Sequence, residues 1–118
     1  MKAEIRAAAF FLLLPNLSCA TFSELEINQL EDINRASLDQ MSAAHASLKK
    51  AISTSIKDNP EKQKLITELD TAWQGMIEKK CKLETYESKG TDAEISQYST
   101  CMSKNYLEAE NYFNSIQP

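Results

Sequence analysis

Three cysteines, a single histidine and two groups of carboxylates are the side chains of this sequence with chemistry to offer. Cys81 and Cys101 stand 20 positions apart, so they form no C-x-x-C redox or metal motif, and one histidine does not complete a zinc site with them. His45 as a general base would need a nucleophile beside it; Ser42 and Ser47 read as ordinary helical serines. His45 is therefore expected at the edge of an apolar stripe, packing its ring and hydrogen-bonding a neighbour. The carboxylates gather near the N-terminus, at Glu24, Glu26, Glu31, Asp32 and Asp39, and around a loop, at Glu84, Glu87, Asp92 and Glu94. Paired acids serve glycoside hydrolysis when a cleft fixes their separation. Without an aromatic cleft around them they read as a solvated acidic face, able to steer a basic partner at long range. These readings assign no catalytic residue, no metal and no cofactor, and the chain is expected not to be an enzyme.

Composition narrows the field further. The chain has 118 residues, enough for one small domain, and 13 basic against 17 acidic side chains give a net charge of -4. Lys49-Lys50 and Lys79-Lys80 are too few and too mixed with acids for a nucleic-acid face. Two glycines leave no Gly-rich phosphate loop.

The first twenty residues have their own layout. Lys2 and Arg6 precede an apolar run from Ala7 to Leu14, Pro15 breaks it, and Ser18, Cys19 and Ala20 follow. That is the order of a secretory signal peptide, with an apolar stretch too short to be a stable membrane span. Ser18 and Ala20 suit signal peptidase, so cleavage is expected after Ala20 and the product is expected in the periplasm or outside the cell. Lipidation at Cys19 is the poorer match, because Asn16 stands where a lipoprotein signal wants Leu. Removing residues 1–20 takes away Lys2, Arg6 and Glu4 and leaves 98 residues, 11 basic and 16 acidic, with a net charge of -5. It also leaves Cys81 and Cys101 as an even pair in an oxidising compartment, where one disulfide is the simplest outcome.

The elements that position these groups are helical. The sequence from Thr21 onward has no valine and no convincing alternation, while spacings of three and four abound. Ser23 and Glu26 have the form of a capping box for a first helix. Its stripe runs Leu30, Ile33, Ser37, Met41, Ala44, Leu48, Ile52 and Ile56, with Asn34 to Ser37 as its weak point. Asn59-Pro60 ends that helix and starts a second, from about Pro60 to about Tyr86. Leu65, Leu69, Ala72, Met76 and Leu83 form its expected inner face, widened by Ile66, Trp73 and Ile77. Gly90 marks the next break, Thr91 or Asp92 is expected to cap the third helix, and this runs from about Asp92 to Asn114. Its stripe is Ile95, Tyr98, Cys101 with Met102, Tyr106, Ala109 and Phe113.

Three apolar stripes on three helices predict an all-α fold, a small antiparallel bundle with one disulfide across the last helical hairpin. Cys81 and Cys101 lie about equally far from Gly90, so they face each other across that hairpin. Trp73, Leu69, Met76, Tyr98, Tyr106 and Phe113 are the expected structural core. Tyr86 and Tyr112 fall off the stripes and, with Glu84, Glu87 and Asp92, are the candidate interface, since tyrosines are frequent interface anchors.

The second half of the chain also resembles a known pattern. Leu69-Asp70-Thr71-Ala72-Trp73, then Cys81, Lys89-Gly90-Thr91 and Cys101, is similar to the LprI-type lysozyme-inhibitor domain family of exported bacterial proteins. There a helix with a Trp eight residues before a Cys leads through a Gly-containing loop to a second Cys. The resemblance covers roughly residues 38 to 113. The additional N-terminal cysteines of that family are missing here, Ile77 to Lys80 replaces its aromatic-arginine run, and Ala109 stands at its Arg position. What the resemblance implies is a single helical domain over residues 21–118, binding a basic cell-wall hydrolase such as lysozyme and occluding its cleft. The alternative on the same residues is a periplasmic envelope-interaction or toxin-immunity protein.

Overall fold

The computed structural model describes the backbone of residues 2–118 and the side chains of residues 23–118. Cys19 and the cut expected after Ala20 lie outside the residues whose side chains are described. The elements run α1 Lys2–Asp58, a 3-10 turn Pro60–Lys62, α2 Gln63–Glu84, a 3-10 turn Tyr86–Ser88, and α3 Glu94–Asn114. The described residues contain no strand, and the all-α class read from the sequence is the class observed.

The chain divides into two compact units, residues 1–33 and 34–118. In the first, Leu25, Ile27 and Ile33 are exposed, which corrects the placement of Ile33 on a buried stripe. With its bounds at Lys2 and Asp58, α1 passes through Ser23 instead of opening there, and it continues unbroken across Asn34 to Ser37. The second unit holds the hydrophobic core and is described from here on.

In residues 34–118, α1 runs antiparallel to α2, and α3 returns alongside both. Ala44, Leu48, Ala51 and Ile52 of α1 meet Ile66, Ile77 and Cys81 of α2 and Met102, Tyr106, Ala109 and Phe113 of α3. Leu48, Ile77 and Phe113 are sealed from solvent, and each such side chain contributes about 1.5–3 kcal/mol through burial. Leu69, Trp73 and Tyr98 pack half-buried against that cluster.

One expectation about α2 is overturned. Met76, read as core, is 53% exposed, and Leu65, Ala72 and Leu83 of the same stripe are exposed too. The helix carries two apolar stripes, and the one facing inward is Ile66, Trp73, Ile77 and Cys81. At about 100° per residue, Met76 points roughly 140° away from Cys81. The disulfide selects the stripe: Cys81 and Cys101 are bonded with their Cα atoms 5.7 Å apart, so the face carrying Cys81 must look at α3.

Polar groups close the end of the bundle opposite that bond. Asn59 is fully buried at the α1–α2 corner, donating from its backbone N–H (3.0 Å) and from Nδ2 (2.9 Å) to the Ser55 carbonyl. Pro60 follows as the first residue of the next turn, as the sequence predicts. The Ser55 hydroxyl donates at 2.6 Å to the Phe113 carbonyl, one of the last-turn acceptors of α3 that lack a full helical partner. Lys62 Nζ reaches the Gln117 carbonyl at 3.2 Å, tying down the chain end.

Two measurements test this arrangement. Replacing both Cys81 and Cys101 by Ser should lower unfolding free energy by roughly 3 kcal/mol for a loop of this size, and a denatured, unreduced chain of residues 21–118 should titrate no free thiol. Ile77→Ala should cost about 2–5 kcal/mol in denaturant melts, whereas Met76→Ala should stay within about 0.5 kcal/mol of wild type. Equal losses would mean that the inward stripe is assigned wrongly.

Candidate functional site

At the end of the bundle next to the hairpin loop the three helices leave an open groove of about 610 Å³. Its α1 wall is Leu38 and Met41, and its α3 wall is Ile95, Tyr98 and Ser99. Lys82 and Thr85 from the end of α2, with Tyr86, Lys89 and Glu94 around the loop, complete it. The volume lies in the range of sites that take an apolar ligand or a side-chain cluster.

Local sequence explains why the groove opens there. Thr85, the residue that follows α2, donates both its backbone N–H (3.0 Å) and its hydroxyl (2.6 Å) to the Cys81 carbonyl. The chain then turns through Tyr86–Ser88, which leaves the Tyr86 ring 65% exposed at the rim. Gly90 has φ +77°, the left-handed conformation expected of it, and its N–H donates to the Glu94 carboxylate at 3.1 Å. Neither Thr91 nor Asp92 caps α3, a correction to the sequence reading. The cap position is Ala93, without a side-chain cap, and the Thr91 hydroxyl accepts the Ala93 N–H at 3.3 Å.

Charge at the rim is mixed. Lys82 Nζ donates to Glu78 at 2.7 Å, and this pairing raises the Lys82 pKa and lowers that of Glu78. Both side chains are exposed, so the pair is readily exchanged for other partners. Lys89 and Glu94 complete the rim.

Of the candidate interface residues, Tyr86 alone lines the groove. Glu84 sits beside the disulfide, 3.4 Å from Cys101 Sγ and 4.0 Å from Lys80 Nζ. Glu87 and Asp92 are exposed on the loop outside the groove lining. Tyr112 belongs elsewhere: its ring lies 5.2 Å from Trp73 and edge-on to Phe113, although it remains 46% exposed. Leu38, Met41, Ile95 and Tyr98 enter the site without having been singled out for it. The signal for Met41, Ile95 and Tyr98 is positional, because they lie on apolar stripes near the end of α2, and Leu38 stands beside the α1 stripe one turn before Met41.

The buried polar groups near the disulfide and at mid-bundle have structural partners. Asn105, invisible to a hydrophobic-stripe reading, is buried under the disulfide; its Nδ2 donates to the Cys101 carbonyl at 2.8 Å and its Oδ1 accepts from Lys80 at 3.1 Å. His45 stacks on Tyr106 with ring centroids 4.8 Å apart. Gln74 uses its Nε2 to donate to Asp70 at 2.7 Å, so its Oε1 is the acceptor for His45 Nε2–H at 3.3 Å. The ring does what was expected of it, packing and bonding a neighbour.

Among the described residues no cluster of three or more His, Cys, Asp or Glu is placed to hold a metal, and no helix is long and apolar enough to cross a membrane. No family model, curated protein or solved structure matches the chain.

Tyr106 gives this region a pH signature. Burial, then the neighbouring Tyr98 and Glu78, raises its pKa above 10.0. The unfolded chain therefore ionises first, so the contribution is fully present below pH about 10 and lost as pH rises through the folded value. Wild type should lose more thermal stability between about pH 9 and pH 11 than Tyr106→Phe does; parallel curves would contradict that.

Proposed function

We propose that the exported chain is a non-enzymatic binding protein that grips a protein partner across its hairpin-loop end. The observation that carries this reading is the groove itself, an apolar floor of Leu38, Met41, Ile95 and Tyr98 with the exposed Tyr86 ring standing at its rim. An aromatic ring beside an apolar pocket is the composition of an interface anchor. The basic and apolar order of residues 1–20 supports export, and an oxidising destination agrees with a chain whose helical hairpin is stapled by Cys81 and Cys101.

For the partner, the resemblance of residues 38 to 113 favours a basic cell-wall hydrolase such as lysozyme. Charge supports it: the segment after residue 20 carries -5, and Glu84, Glu87 and Asp92 flank the loop beside the groove. Acidic side chains around an apolar contact raise the rate of encounter with a basic enzyme, while the apolar contact sets how long the complex lasts. Inhibition would follow from occlusion alone, with no chemical step on either protein.

The test is the clearing of a peptidoglycan suspension by lysozyme in the presence of the exported chain. Lysis should slow with rising inhibitor, and Tyr86→Ala should raise the half-inhibitory concentration about tenfold while leaving helicity unchanged. Undiminished lysis at large molar excess would remove lysozyme as the partner.

A further inference from the structure

The outer stripe of α2, which only Leu69 brings against the core, has a pattern of its own. Leu65, Leu69, Ala72, Met76, Lys79 and Leu83 follow one another at spacings of 4, 3, 4, 3 and 4, the a/d repeat of a coiled-coil seam. The seam is centred about 120° around the helix from the core-facing stripe. Leu65 is 69% and Leu83 78% exposed, with Leu69 half-buried between the seam and the core. Near the middle lies Gly75, where a Cβ would meet nothing within 4 Å. Glycine inside a helix costs about 0.5–1 kcal/mol relative to alanine, and no contact within the chain requires it at this position.

We propose that two copies of the chain associate through this face, with their α2 helices antiparallel about a two-fold axis at Gly75. In that register the apolar seam positions meet one another, except that Leu69 falls opposite the partner's Lys79. Leu65 meets the partner's Leu83, the small Ala72 meets the partner's Met76, and Gly75 lets the two helix backbones approach at the axis. Charges on the flank agree: Glu68 falls opposite the partner's Lys82, and symmetry makes the pair twice. In the monomer these two side chains hold only exposed partners, Lys64 at 3.9 Å and Glu78 at 2.7 Å, which can be exchanged. A parallel pairing would set Glu68 near Trp73 and lose the charge match. The same patch serving both copies is the isologous arrangement that closes at two, which points to a second copy of this chain. A single 22-residue helix per copy makes a small interface, so the association is weak and concentration-dependent.

Sedimentation equilibrium of the exported chain, from about 10 μM to about 1 mM at low salt, tests this independently of any lysozyme reading. Mass should rise from one chain to two across that range. Met76→Glu should hold the chain monomeric throughout, with unfolding temperature unchanged because the residue is exposed. Glu68→Lys should weaken the dimer at least threefold, and adding Lys82→Glu to it should restore the dimer. A chain monomeric at all concentrations overturns the proposal. So does a dimer insensitive to Met76→Glu, or a charge swap that fails to restore association.

Discussion

The Cys81–Cys101 bond sets the rotation of α2, and most of what the molecule presents to solvent follows from that rotation. A helix with two apolar stripes about 120° apart has two ways to face a bundle, and area burial alone separates them poorly. The covalent link removes the choice, because the Cα atoms stand 5.7 Å apart and Cys81 is fully buried. Ile66, Trp73 and Ile77 then turn inward with Cys81, and Gln74 comes within reach of His45. Asn105 completes the joint by satisfying the Cys101 carbonyl and Lys80 beneath the sulfurs. An amide left unpaired at that depth would cost about 1–3 kcal/mol, so the joint is stable only with its partners in place.

The two ends of the bundle are built differently. At the α1–α2 corner, Asn59, Ser55 and the Phe113 carbonyl form a buried hydrogen-bonded lock, and the rings of Trp73, Tyr112 and Phe113 pack tilted and edge-on to one another nearby. At the hairpin-loop end, α2 stops at Glu84 while α1 and α3 still carry apolar side chains, so the stripes lie open and become the groove. Buried hydrogen bonds close one end, and open apolar side chains line the other beyond the disulfide. That division suits a binding protein, since the exposed apolar side chains sit on walls held rigid by packing further down the same helices.

The sequence alone makes the helical class, the breaks at Asn59-Pro60 and Gly90, the disulfide and the inner faces of α1 and α3 legible. Each of those faces is marked by one dominant stripe, and a single stripe at spacings of three and four has only one way to be buried. Helix α2 misleads because leucines and a methionine mark its outer stripe, while the inner one is written in isoleucine, tryptophan and cysteine. Counting back from Cys81 in steps of four and three reaches Ile77, Gln74, Trp73 and Ile66, and that cysteine-anchored register is the signal a hydrophobicity reading passes over. The groove is harder to foresee. Ile95 and Tyr98 are visible as stripe residues, but whether the end of a stripe is covered depends on where the neighbouring helix stops, and α2 stops at Glu84 with no Gly or Pro there to mark it. Asn105 and Ser99 are missed for a related reason, since a buried polar side chain is identified by its partner and not by its type.

Lys82 belongs to both exposed surfaces. It stands on the rim of the groove, and it flanks the outer seam of α2 on the side away from the core. In the isolated chain it is held by Glu78, an exposed and solvent-screened pair that exchanges partners readily. Drawing the ammonium toward a second copy would withdraw one positive charge from the groove, and a ligand on the groove would compete for it in turn. The coupling between the two surfaces is limited to the value of that one exposed charge, and salt screens it further. The apolar contacts are not shared: Leu38, Met41, Ile95 and Tyr98 belong to the groove, and Leu65, Ala72, Met76 and Leu83 to the seam. Because those contacts dominate each surface, the chain can present its groove whether single or paired, and pairing would then act by bringing two grooves onto one particle.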